Sequence, residues 1–272
     1  ADFVVTEAGF GSDMGAEKFM HIKAVNSGKA PDCVVMNVTV RSMKLHGGAF
    51  GPSAARRPSK EEIEKEDVEA VRVGAQSNLD RHIRNMSQFG MPVVVSVNRF
   101  ASDSDAELDC IIECARASGA SDVCLTEVHA KGGAGGAQLA KAVVRSCQDN
   151  IAAGRPFTPL FNPSTPIEEK ALRVATRIYG ADGINIRAKA DRQLKQIKSW
   201  GYGHLPVCMA KTQYSFSHDA NLLGAPTGFE VPIREFRLNS GAGFVVAILG
   251  EIMTMPGLPK RPAACDMDMD ED

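Results

Sequence analysis

The feature that most constrains how this chain can fold is a rhythm in its first 150 residues, where short runs apolar on both faces alternate with longer stretches of helical periodicity. The strand-like runs are 3–6, 33–40, 92–97 and 122–126, and the helical stretches are 16–26, 60–89, 105–118 and 136–149. Ser or Asp stands at several helix starts and Gly soon after several ends. A strand apolar on both faces must be covered on both, and links of this length suit parallel crossovers. The expectation is an α/β fold with mostly parallel sheets and helices on both faces.

The pattern changes after residue 150. Pro156, Pro159, Pro163 and Pro166 punctuate a loop that leads into helical stretches at 167–179 and 188–201. From Leu205 onward the strand-like runs 205–209, 231–238 and 243–249 are parted by Gly-, Pro- and Asn-rich loops, which predicts a mixed C-terminal layer. At the other end, Ala1-Asp2 leads straight into an apolar run without a Met, so further chain is expected upstream; the acidic stretch 266–272 reads as a solvated terminus.

Charge excludes some partners. With 31 basic and 33 acidic residues well mixed, the net charge of −2 supplies no field to gather nucleic acid or an anionic bilayer. No apolar run reaches the ~20 residues of a membrane-spanning helix. Seven cysteines without C-x-x-C spacing fit a reduced, cytoplasmic setting, or an organelle if an address lies upstream. No H-E-x-x-H or clustered ligand set points to a metal, no G-x-S-x-G elbow is present, and no G-x-x-x-x-G-K-[ST] loop occurs.

In open α/β sheets ligands sit beyond the carboxyl ends of strands. Four segments there carry chemistry. Thr6-Glu-Ala-Gly9-Phe-Gly11-Ser-Asp13-Met-Gly15-Ala-Glu17-Lys18 could bring backbone N–H groups to a phosphate at a helix start, or be a plain strand-to-helix turn. Arg41, Lys44 and His46, in a loop before Gly47-Gly48, could hold anionic oxygens or be solvated charges. Phe100 emerges at a strand end, where a ring stacks on a heterocycle or closes the core. His129 opens the glycine-rich loop Lys131-Gly-Gly-Ala-Gly-Gly136.

Taken in order and spacing, these segments resemble formate–tetrahydrofolate ligases: VVTEAGFGSDMGAEKF at 4–19, VTVRSMKLHGG at 38–48, VVVSVNRFASDSDAEL at 93–108, EVHAKGGAGG at 127–136, LPVCMAKTQYSFS at 205–217 and GEIMTMPGLPKRPAA at 250–264. The resemblance implies ATP-dependent ligation of formate to tetrahydrofolate, giving 10-formyltetrahydrofolate, ADP and phosphate through formyl phosphate, a step of one-carbon metabolism. It implies Mg²⁺ with the ATP, a monovalent cation (K⁺ or NH₄⁺), and a homo-oligomer. It further implies that 1–85 complete a nucleotide domain whose P-loop lies outside these residues, and that 86–272 form the folate-side region, divisible at 155/156. On that reading this span is catalytically incomplete by itself.

Carried over by position, Phe100 falls where the family stacks a Phe on the pterin, and His129 where bacterial members usually have a Trp on its other face. Gly9, Gly11, Lys18 and His46 fall on the phosphate and formyl-phosphate side, with Arg41 and Lys44 as charge stabilisers. The resemblance assigns no role to Lys211, Tyr214 or His218, whose placement after a short strand suits lining the site and structural hydrogen bonding equally. Two rival readings remain at this point. A folate-binding chain without turnover is one. The other is an oxidoreductase using Gly9-x-Gly11 as a dinucleotide turn, against which Asp32 precedes the second strand instead of ending it.

Overall fold

The computed structural model describes residues 2–52, 56–250, 261 and 265. Its centre is a parallel sheet in the order β1-β2-β3, formed by Val34–Val38, Val93–Asn98 and Asp122–Thr126. Central β2 reads Val-Val-Val-Ser-Val, and its Val93, Val94, Val95 and Val97 are all buried. This is the composition a strand covered on both faces requires. Among the described residues, two further sheets complete the α/β architecture. β4 (Gly183–Ile186) pairs parallel with β6 (Glu230–Ile233). β5 (Val207–Ala210), β8 (Phe244–Ile248) and β7 (Glu235–Asn239) lie in the order β5-β8-β7, parallel then antiparallel, which is the mixed layer expected from the last third of the sequence.

Residues 11–27 form one helical rod, two π-type turns (Gly11–Ala16 and Phe19–Ala24) running into α1 (Val25–Ser27). Then come α2 (Val40–His46), α3 (Lys60–Glu64), α4 (Val68–Gly74) and α5 (Asp80–Ser87), the last two joined by the turn Ala75–Leu79. α6 (Asp105–Ala117) starts on a capping box, with Ser104 and Glu107 exchanging side-chain and backbone hydrogen bonds. α7 (Val128–Lys131), α8 (Ala137–Ala153), α9 (Ile167–Val174, extended by Ala175–Tyr179) and α10 (Ala188–Ser199) complete the set.

Several expectations give way. Residues 3–6 form no strand, and Val4 and Val5 are 83% and 92% exposed. Strand preference measures fit to a pleated, half-buried surface, and no neighbouring ladder covers this run. The helix expected across 60–89 breaks after Glu64, where Lys65 turns extended and Asp67 restarts the chain by accepting from Ala70 N (2.9 Å). The run 231–238 divides at Arg234 into β6 and β7, which serve different sheets. β1, from the expected first part, and β2, from the expected second, pair along five register positions. The segment 251–260 and the acidic tail 266–272 lie outside the described residues.

The largest local difference concerns 40–46, expected as a cationic loop and found as α2. Thr39 caps it, its hydroxyl accepting from Ser42 N (3.2 Å), and Val40, Met43 and Lys44 turn inward. The glycines just beyond it explain the packing. A Cβ on Gly47 would lie 1.8 Å from Ala70 O, and one on Gly74 2.1 Å from Met43 O, so α2 and α4 cross with their backbones in contact.

Candidate functional site

Two exposed rings stand beyond the carboxyl ends of adjacent parallel strands. Asn98 of β2 pairs in register with Thr126 of β3, and Arg99 N continues the ladder onto Thr126 O (3.0 Å). Phe100 comes next in the chain. Asp103 braces the turn, its carboxylate accepting from Phe100 N (2.8 Å) and its own N–H donating to Phe100 O (3.1 Å). Burial pushes the Asp103 carboxyl up, and the bond from Phe100 N pulls against it. The ring of Phe100 is left 52% exposed, a costly arrangement for a large apolar side chain unless something covers it.

On β3 the chain leaves through Glu127 into α7, which carries an exposed His129. Glu127 ties the glycine loop back, donating its N–H to Gly135 O (3.1 Å) while its carboxylate pairs with Lys131 (2.5 Å). Gly135 is needed there, since a Cβ would lie 2.4 Å from Glu127 O. The glycine-rich loop is a short helix leading into the 3₁₀ turn Gly132–Gly136. Phe100 and His129 therefore share one edge of one sheet.

Of the residues expected on the phosphate side, Gly9 is exposed and Gly11, Lys18 and His46 are partly buried, and a polar cluster of Ser12, Asp13, His82 and Lys211 lies next to them. Gly11 takes φ +75° and starts the helix, while Gly15 packs so closely on Gly9 that a Cβ would lie 1.8 Å from the Gly9 carbonyl oxygen. Nδ1 of His82 accepts from Ser12 N (3.4 Å) and lies 2.5 Å from Ser12 Oγ, which makes α5 the cap of this helix start. Burial lowers the pKa of His82, against the pull of the neighbouring Asp13 carboxylate. Beside it, Asp13 pairs with Lys211 (2.5 Å). Burial acting alone would raise the Asp13 carboxyl, but the Lys211 ammonium and His82 hold it below its ordinary value. Burial pulls Lys211 down, against the neighbouring Asp13 carboxylate, and the ammonium also donates to the carbonyls of Thr212 and Ser215. The ion pair is the state these contacts support.

The other expected groups divide by exposure. Lys18 pairs with the fully buried Glu17 (2.9 Å), which also meets His21 Nδ1 (2.7 Å). Lys44 is 1% exposed, and its three donors are taken by Ile63 O (3.0 Å), Lys65 O (2.8 Å) and Glu107 (2.7 Å). His46 Nδ1 accepts from Gly224 N (3.2 Å), and burial, with His82 nearby, pushes its pKa down to about 4, so it adds no positive charge at neutral pH. Arg41 alone of the three cationic candidates is exposed and, among the described residues, without a partner. Of the later block, Lys211 is the structural bonder and Tyr214 is 40% exposed. The partners Ser12, His82 and Lys211 lie on distant segments, and no spacing rule would have joined them.

The family model for formate–tetrahydrofolate ligase matches residues 1–272. Proteins named formate–tetrahydrofolate ligase from Staphylococcus aureus strains NCTC 8325 and MSSA476 are each 48% identical over 272 residues, covering 100% of this chain and 46% of theirs. The chain thus spans about half the length of these curated relatives. On the match along its whole length, the chain belongs to the formate–tetrahydrofolate ligase family.

Proposed function

We propose that this chain provides the folate-side surface of an ATP-dependent ligase that joins formate to tetrahydrofolate. The single observation that carries the reading is the pair Phe100 and His129 beyond the ends of neighbouring strands, with Phe100 exposed on a turn built to hold it there. A pterin is flat and apolar on both faces, and two rings on one sheet edge suit it.

In the reaction, a formate oxygen attacks the γ-phosphorus of ATP, releasing ADP and leaving formyl phosphate. The folate amine then attacks the formyl carbon, loses its proton, and expels phosphate. Negative charge gathers on the transferring phosphoryl group and then on the anhydride, so an unpaired guanidinium such as Arg41 is the group of this chain suited to meet it. Lys44 acts through position, holding α2 and hence Arg41 against α6. The sequence holds no Walker-type loop, so the nucleotide relies on residues beyond this span, which alone is inactive. Among the described residues no group of three or more His, Cys, Asp or Glu gathers to hold a metal ion.

Calorimetric titration of tetrahydrofolate into the protein and its Phe100→Ala variant tests the reading, with ATP titrated in parallel. Saturable folate binding that weakens roughly tenfold in the variant is expected, because a stacked ring contributes about 1–2 kcal/mol. Equal affinity in both proteins would remove Phe100 from the site, and absence of folate binding in the folded protein would remove the site from this surface.

A further inference from the structure

The geometry points to a second anion site, for a phosphate monoester or free phosphate, in the groove between α5 and the turn Ala175–Tyr179 that extends α9. The groove is shallow and open to solvent, offers about 570 Å³ and is lined by Arg81, Arg84 and Arg177 with the amides of Asn85 and Gln88; no acidic side chain lines it. None of these residues belongs to the folate edge, and the inference does not rest on the proposed reaction.

The charges can be traced one at a time. Arg84 donates its Nε to Asp80 Oδ2 (2.7 Å), so that guanidinium is neutralised by its neighbour one turn away. Arg177 donates its Nε to Gln88 Oε1 (3.0 Å), and Gln88 Nε2 returns a bond to Arg177 O (3.2 Å). This reciprocal pair fixes the arginine yet leaves its charge uncompensated. Arg81 is partly buried and, among the described residues, has no hydrogen-bonding or acidic partner. Its guanidinium lies against Gly180, where a Cβ would come within 2.6 Å of Nη2, so the glycine makes room for it. Two unpaired positive charges remain on opposite walls of one groove.

Half-buried Arg81 offers five N–H donors with no acceptor and exposed Arg177 its remaining four, and two such groups facing one space match a dianion better than a single carboxylate does. Phosphate monoesters carry close to two negative charges at pH 7 and accept bidentate bonds from Arg. The floor supplies an independent sign of an incomplete site. Asn85 is fully buried, its Nδ2 donates to Ser12 Oγ (3.2 Å) and Ile178 O (3.1 Å), and its Oδ1 has no partner. A buried amide oxygen left unbonded has an unmet need for a donor. The volume exceeds that of a phosphate group, so the organic part of a monoester has room.

The test is titration of glycerol 3-phosphate, inorganic phosphate and acetate into the intact protein, monitored by ³¹P line shape and calorimetry. Saturable binding of both phosphates is expected, with acetate at least tenfold weaker. Tighter glycerol 3-phosphate marks a monoester site, and tighter inorganic phosphate a site for the free ion; both support the assignment. The Arg81→Gln/Arg177→Gln variant loses roughly tenfold or more of that affinity. Thr176→Glu, which sets a carboxylate among the arginines, abolishes binding by a route that leaves both guanidiniums in place. No phosphate binding by the folded protein, or binding that survives both variants unchanged, overturns the assignment.

Discussion

Replacing Lys44 with Met separates a structural role from a catalytic one. The ammonium is 1% exposed, pairs with Glu107 at 2.7 Å and donates to two carbonyls of the α3–α4 link. Glu107 is itself fully buried, and accepts from Asp67 N (2.8 Å) and Ser104 N (3.2 Å). Met fills the stem's space but leaves a buried carboxylate with two backbone partners and no cation. Breaking one side of a buried pair costs about 3–5 kcal/mol, mostly the penalty on the charge left behind. With a urea dependence of about 2–3 kcal/mol per molar, the unfolding midpoint should fall by roughly 1–2 M. Adding Glu107→Gln should restore a large part of the loss, because the orphaned charge is then gone. Urea unfolding of the two single variants and the double variant at pH 7 reads this directly. A Lys44→Met protein whose midpoint stays within ~0.3 M of wild type would refute the reasoning and free Lys44 for direct contact with the anion.

The remaining expectations are separable. His129→Trp enlarges the second ring and should tighten tetrahydrofolate binding roughly three- to tenfold, read by fluorescence of the new indole against that of Trp200; weaker binding would take position 129 out of the stack. His46 should make stability fall with acid. Its folded pKa of about 4 lies below the unfolded 6.5, so its contribution is complete above about pH 7 and is lost as pH drops from 6.5 towards 4, on the order of 3 kcal/mol at most. His46→Asn should flatten that part of the profile, and an unchanged slope would shift the cause to other groups. Gly15→Ala places a methyl 1.8 Å from Gly9 O and should cost about 1–3 kcal/mol in thermal unfolding, with the loop displaced.

The parts of the fold legible in the sequence are those where local pattern and burial agree. β3 falls on residues 122–126 and α6 starts on Asp105, because an apolar run and a Ser104–Glu107 capping box each carry their own signal. Residues 3–6 misled because strand preference needs a partner ladder, which sequence does not display. The break at 65–67 was signalled by Asp67 alone, a cap inside a long periodic stretch. At the site, Phe100 and His129 could be placed by resemblance, since each comes after a strand whose end was readable. The cluster of Ser12, Asp13, His82 and Lys211 could not be, because each contact is long-range and each residue alone looks like an ordinary surface group.

The β2–β3 register also acts as a thickness gauge. Neighbouring strands lie about 4.8 Å apart, whereas a flat ring held face to face between two others needs about 7–8 Å, twice a van der Waals contact. The strands alone would set the two rings too close to admit anything. The missing distance, about 2–3 Å, is the difference between those spacings, and it must come from the segments that leave the strand ends. On one side that is the Asp103-braced turn, and on the other the single helical turn that carries His129 outward. Shortening α7 by one residue would narrow the slot and rotate its far wall while leaving every strand contact in place. On the proposed folate reading, the width of a slot for a two-faced heterocycle would be written in a four-residue helix and its tether from Glu127 to Gly135, not in the sheet itself.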